Sequence, residues 1–212
     1  MKKISFILAG FILSWTAGAW AQTTFTVSAN IPAGTGVGFT VSQVNATTNA
    51  FTTMPAGTTA LNFGTLQLTN VGTAGSPNYI FLPTIYWALD IAVTGGAGSP
   101  NTTVTYTDGA KPTGAVSSLG VKGTVMFTKE VYTSSTTPPT ETGIGTKKRF
   151  LDLVSFNVPA SSVSGGWLRA YIGIWNGNTT QTFPDPSNGQ PFTTGDAAGT
   201  YTGTLTFTET VG

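Results

Sequence analysis

The chain predicts an all-β fold, a sandwich or a barrel, and three observations carry that expectation. After residue 22 apolar and polar residues alternate with period two, the spacing of a half-buried strand. Clusters of Gly, Pro, Asn and Ser punctuate the alternating runs, and Thr, Val, Phe, Tyr and Ile fill them, as a pleated surface favours. No stretch beyond the leader repeats its apolar residues at helical spacing. Many short strands with turn chemistry between them and no helices define two-sheet or closed β architectures.

The first 21 residues read as an export leader. Lys2 and Lys3 give a positive start, Ile4 to Leu13 an apolar run, and Ala19-Trp20-Ala21 a small-residue cleavage site. The apolar run is short for a bilayer span, and polar sequence follows it. Cleavage after Ala21 leaves residues 22–212, enough for one domain. A short Lys-Lys leader suits a bacterium, and the expected destination is the extracellular space or cell surface.

The strands then follow in order. They are 23–29, 37–44, 59–69, 85–93, 102–107, 121–132, 149–158, 166–175 and the closing run 200–211. In 85–93, Ile85, Trp87, Leu89, Ile91 and Val93 share the core side, with Tyr86, Ala88, Asp90 and Ala92 opposite. In 166–175, Leu168, Ala170, Ile172 and Ile174 are the core side. Trp167, Arg169, Tyr171 and Trp175 make an aromatic row on the other side, which a loop, a neighbouring subunit or a stacked sugar could cover. In the closing run Tyr201, Leu205, Phe207 and Val211 face the core, while threonine fills every even position from 200 to 210. The segments 133–148 and 176–199 are long connections. Ala-Gly-Ser-Pro-Asn occurs at 74–78 and again at 97–101, as turn chemistry rather than as a repeat unit.

Composition excludes several function classes. The sequence has no Cys and no His, so it offers neither disulfides nor the usual nucleophile–base and zinc sites. Eight Asp and Glu are scattered along the chain, and no close pair marks a hydrolase. Between Gln22 and Ala110 there is no basic residue, which argues against nucleic acid. Lys147-Lys148-Arg149 is the one basic cluster and reads as a solvated loop-to-strand junction. Asp185 and Asp196 could meet calcium in the 176–199 loop, but no recognised ligand spacing supports it. The sequons at Asn45, Asn101 and Asn178 are of a kind that arises readily in a Thr- and Asn-rich chain. The expectation is a non-enzymatic protein with no cofactor and no metal, outside the membrane once mature.

Both ends of the domain are strands. Phe25 and Val27 alternate with Thr24, Thr26 and Ser28, and a strand at a terminus can be lent to another chain. "TALNFGTL" in the middle and "AGTYTGTLTFTETV" at the end resemble secreted bacterial pilus and spore-coat-U-type subunits. The resemblance implies an immunoglobulin-like antiparallel β-sandwich, a jelly-roll-like variant being the alternative. It also implies assembly by donation of an N-terminal strand into a neighbour's groove. Many such subunits carry a disulfide near the start, which this chain lacks.

The sequence is thus expected to comprise a leader (1–21), a donor strand (22–31) and a sandwich domain (32–212). Phe25, Val27 and Ile31 would enter the groove of another copy. The competing expectation is a monomeric secreted module that contacts glycan or a surface through Trp167, Arg169, Tyr171 and Trp175. It requires the N-terminal strand to pair within its own domain and the aromatic row to be bare.

Overall fold

The computed structural model describes residues 24–30, 38–92, 101–130, 146–154, 156–158, 167–175 and 190–210. At 24–30, 38, 92, 101, 128–130, 146, 156–158, 167 and 209–210 it describes the backbone alone. The leader, Ile31 and most of the two long connections lie outside these residues.

The strands in chain order begin with β1 (Thr24–Asn30), β2 (Gly38–Asn45), β3 (Phe51–Thr53), β4 (Ala60–Thr65) and β5 (Gln67–Asn70). They continue with β6 (Tyr79–Leu82), β7 (Ile85–Ala92), β8 (Asn101–Asp108), β9 (Gly123–Glu130) and β10 (Thr146–Arg149). β11 (Phe156–Val158), β12 (Trp167–Ile174), β13 (Phe192–Thr193) and β14 (Thr200–Thr210) complete the set. One helical turn, α1 (Leu119–Lys122), precedes β9, and a single 3-10 turn spans Phe150–Asp152.

The strands form two main sheets, ordered β11-β8-β14-β1-β4 and β10-β9-β12-β7-β2-β3, with a small third sheet, β13-β6-β5. The main sheets face each other across one apolar core, so the fold is an all-β sandwich. Leu61, Phe63, Val104, Tyr201, Leu205 and Phe207 come from the first sheet. Val41, Trp87, Leu89, Ile91, Val125, Phe127, Leu168, Ile172 and Ile174 come from the second. These are the period-two positions expected for 85–93, 166–175 and 200–211. Each fully buried aliphatic side chain contributes about 1.5–3 kcal/mol before chain entropy is counted.

Three expected strands are cut differently. The run 59–69 divides into β4 and β5, which belong to different sheets. Leu61 and Phe63 are spaced by two, whereas Leu66, also buried, follows Phe63 by three. Gly64 takes up the odd residue at φ +68°, a left-handed conformation that favours glycine. The run 121–132 starts as a strand only at Gly123. The turn before it is fixed by Asp108, whose carboxylate accepts the Gly120 N–H at 2.9 Å and the Ser118 hydroxyl at 2.6 Å. The run 149–158 is the end of β10, the 3-10 turn and β11, because the Phe150 ring folds inward over Gly123. Three short strands, β3, β6 and β13, lie outside every expected run; each has two to four residues, too few to show a period.

Candidate functional site

The N-terminal strand sits inside the first sheet, between the C-terminal strand and β4. It runs parallel to β14 through seven consecutive pairs, Thr24↔Thr200 to Asn30↔Thr206. It runs antiparallel to β4, from Thr24↔Thr65 to Ser28↔Ala60. Every other strand pair among the described residues is antiparallel. A parallel pair cannot be closed by a tight hairpin. Here the partners are the two ends of the described chain, so no connection between them is needed.

β4 is the outermost strand of that sheet and joins it through β1 alone. Taking β1 away would leave two facing backbone edges, β14 and β4, and a slot between them. The walls of that slot carry the buried Leu61, Phe63, Tyr201, Leu205 and Phe207. Phe25 registers with Tyr201 and Gly64, and Val27 with Gly203 and Leu61. The site therefore contains two of the three expected donor-strand residues by register, while Ile31 lies outside the described residues. Gly203 has no side chain for a reason: a Cβ there would collide with the Tyr106 ring. That ring leans on Phe150, with centroids 4.9 Å apart, and its hydroxyl donates to Asp108 at 2.8 Å.

The expected aromatic row lies on the outer face of the second sheet. Arg169 and Tyr171 are buried there, at 5% and 0% exposure, and Trp175 is half-buried. The side chain of Trp167 lies outside the described residues. Tyr171 belongs to a second apolar cluster with Val44, Tyr86, Ala88 and Met126, so this face is an additional small core within the chain. Arg169 stands directly opposite Asp90 in the β12–β7 ladder and holds it through two N–H donors, Nη2 at 2.9 Å to Oδ2 and Nε to Oδ1. The guanidinium also lies 5.3 Å from the centre of the Phe51 ring, a cation–π distance. Burial works to lower the Arg169 pKa, and its hydrogen bonds to Asp90 and Tyr171 outweigh that, leaving it raised. Burial first, then the neighbouring Tyr171, pushes the Tyr86 phenol well up from its usual value. The Tyr86 hydroxyl donates to Asn49 Oδ1 at 3.0 Å.

The remaining candidates resolve into ion pairs. Asp196 faces Lys122 at 3.0 Å, and Lys122 also donates to the Pro191 carbonyl at 2.9 Å. Asp185 lies outside the described residues. Arg149 pairs with Asp152 through two contacts of 2.8 and 2.9 Å. This pairing, mainly the hydrogen bonds from Arg149, holds the Asp152 carboxyl below the usual carboxylate range. Among the described residues no group of three potential metal ligands comes together.

Sequence reasoning missed Asp90 and Gly64. A signal for the first was present, since Asp90 is a lone charge on an otherwise apolar strand and a buried carboxylate demands a cation. Gly64 was signalled by the apolar spacing of two and then three. Comparison with protein-family models, curated proteins and solved structures finds no match.

Proposed function

We propose that this protein is an exported, non-enzymatic structural subunit that joins copies of itself into a filament or coat by exchanging its N-terminal strand. The observation that carries the reading is the position of β1: the first described strand of the chain, inside a sheet and not at its edge, held by two neighbours and tied to neither by a hairpin. A second copy's 24–30 segment would meet the same ladder partners, which is the low-cost route to assembly by domain swapping. The other sheet edges are poor docking strands. β3 and β11 have three residues each, β10 carries Lys147, Lys148 and Arg149, and β4 is bulged. These are the devices that discourage edge-to-edge pairing. Export rests on the leader-like residues 1–21. No helix of the described residues is long and apolar enough to cross a membrane.

Pairing of β1 within its own chain is what the glycan-module reading requires; the burial of Arg169 and Tyr171 speaks against that reading, which also needs the row bare. The test is electron microscopy of the mature protein beside a chain lacking 22–31. Filaments or coats that vanish on truncation are expected. Soluble monomers from both would overturn strand exchange and return the question to a monomeric module.

A further inference from the structure

Strand β1 has an unusual register problem. Thr24, Thr26 and Ser28 register with Thr200, Thr202 and Thr204 of β14, which has threonine at every even position from 200 to 210. A slide of two residues along β14 would match hydroxyl to hydroxyl again, and the β1–β14 ladder contains no irregularity to prevent it. A slide of one would exchange the core-facing and outward sets. The threonine row of β14 does not choose among registers two residues apart.

The other neighbour has a feature that occurs once among the described ladders. Between Phe25 and Thr26 the partner on β4 jumps from Gly64 to Asn62, so Phe63 and Gly64 together oppose a single residue of β1. Asn62 Oδ1 accepts the Gly64 N–H at 2.7 Å and holds the bulge from within its own strand. Gly64 adopts φ +68°, and a Cβ there would touch nothing within 4 Å. The demand on this position is therefore conformational and not steric. Both sides of the bulge are anchored, with Leu61 and Phe63 buried before it and Leu66 buried after it. β4 cannot slide to accommodate a misplaced strand.

We infer that the Phe63–Gly64 bulge is the register stop of the slot, fixing Phe25 opposite Gly64 in whichever copy supplies the strand. The extension to a second copy rests on the strand-exchange reading; the stop itself does not. The bulge makes the pairing on its two sides mutually inconsistent with any flat ladder. Thr24↔Thr65 and Ser28↔Ala60 hold together only if one extra β4 residue lies between them. A flat strand can satisfy one pair or the other.

The absence of native cysteine makes the test clean. Two variants of the full mature chain, Thr24→Cys/Thr65→Cys and Ser28→Cys/Ala60→Cys, place cysteines at directly opposed positions, within disulfide reach. In a glutathione buffer both pairs are expected to link. Adding Gly64→Val, which resists the left-handed conformation, is expected to lower one of the two yields about tenfold. Gly64→Asn, which tolerates it, should keep both and guards against a mere folding defect. Equal yields of both pairs in the Gly64→Val background would overturn the stop, as would failure of either pair to link in the folded parent. Non-reducing electrophoresis separates the two claims. Links within one chain uphold the stop and count against strand exchange; links between chains uphold both.

Discussion

The two main sheets hold their inner strands in register by different means. In the second sheet, β9, β12, β7 and β2 are eight-residue strands in unbroken antiparallel ladders. Both faces are buried there, and a charge pair sits across the β12–β7 ladder. A one-residue slip would separate Arg169 from Asp90 and bury each alone. In the first sheet β1, the fourth of five strands, is the first described strand of the chain, carries no charge, and lies against a glycine bulge on one neighbour. A buried charge pair marks the register of β12 against β7; a bulge with a glycine at positive φ marks the register of β1 against β4. The difference teaches that register within one sandwich can be set by a side-chain pair in one sheet and by backbone conformation in the other.

The sharpest way to break this contrast is to remove the lock from the second sheet. Arg169→Ala leaves Asp90 buried without a partner and should cost about 3–5 kcal/mol, read from the urea midpoint. Replacing both residues, as Asp90→Leu/Arg169→Met, should recover most of that loss, because a well-packed apolar pair can equal a buried ion pair. A loss below about 1 kcal/mol for the single variant would mean that charge does not hold this register.

A smaller effect is expected where glycines seat aromatic rings beside the slot. Gly203→Ala would press on Tyr106 and Gly123→Ala on Phe150. Each should destabilise by about 1–3 kcal/mol in thermal melts. Tyr106→Leu in the Gly203→Ala background should relieve part of the loss, which an effect on strand propensity alone would not allow.

Next comes alkaline pH. Burial raises the pKa of Tyr86, and burial with the Asp108 hydrogen bond raises that of Tyr106. The unfolded chain therefore releases these protons first, so stability is complete below about pH 10 and falls as pH rises beyond it, by up to about 1.4 kcal/mol per pH unit for each of the two. Tyr106→Phe should flatten that slope in urea titrations between pH 8 and 11. An unchanged slope in both Tyr106→Phe and Tyr86→Phe would remove these two residues as its source.

The smallest effect belongs to the edge strand β10. Arg149–Asp152 is partly exposed, and Arg149→Ala should cost only about 0.2–1 kcal/mol at neutral pH. Because the Asp152 pKa is lowered in the fold, the contribution is present above the ordinary carboxylate value of about 4 and disappears as pH falls through the lowered one. The two proteins should therefore melt alike near pH 2, apart from any packing difference.

Much of this architecture was legible as period. The core sides of β7, β12 and β14 are the alternating residues of the sequence, and Trp87, Leu89, Ile172 and Leu205 stand where alternation puts them. The short strands β3, β6 and β13 were not legible, since two to four residues carry no period and exist by pairing with longer neighbours. Nor was the helical turn before β9, which a carboxylate from another strand holds in place. At the candidate site, sequence alone marked 23–29 as a strand at a terminus and Arg169 and Tyr171 as part of a row opposite the core. It did not place β1 parallel to β14 or reveal that Arg169 and Tyr171 were buried.

The sequence by itself determined local conformation: which segments extend, which side of the long strands is apolar, and where a leader-like segment precedes the domain. Alternation and turn residues act within a few positions, so they can be read along the chain. The tertiary structure alone decided which strands became neighbours, that Asp90 met Arg169 across 79 positions of sequence, and that the two ends of the domain closed one sheet. These depend on contacts between distant residues, where burial and backbone pairing choose among partners that the local pattern leaves equivalent.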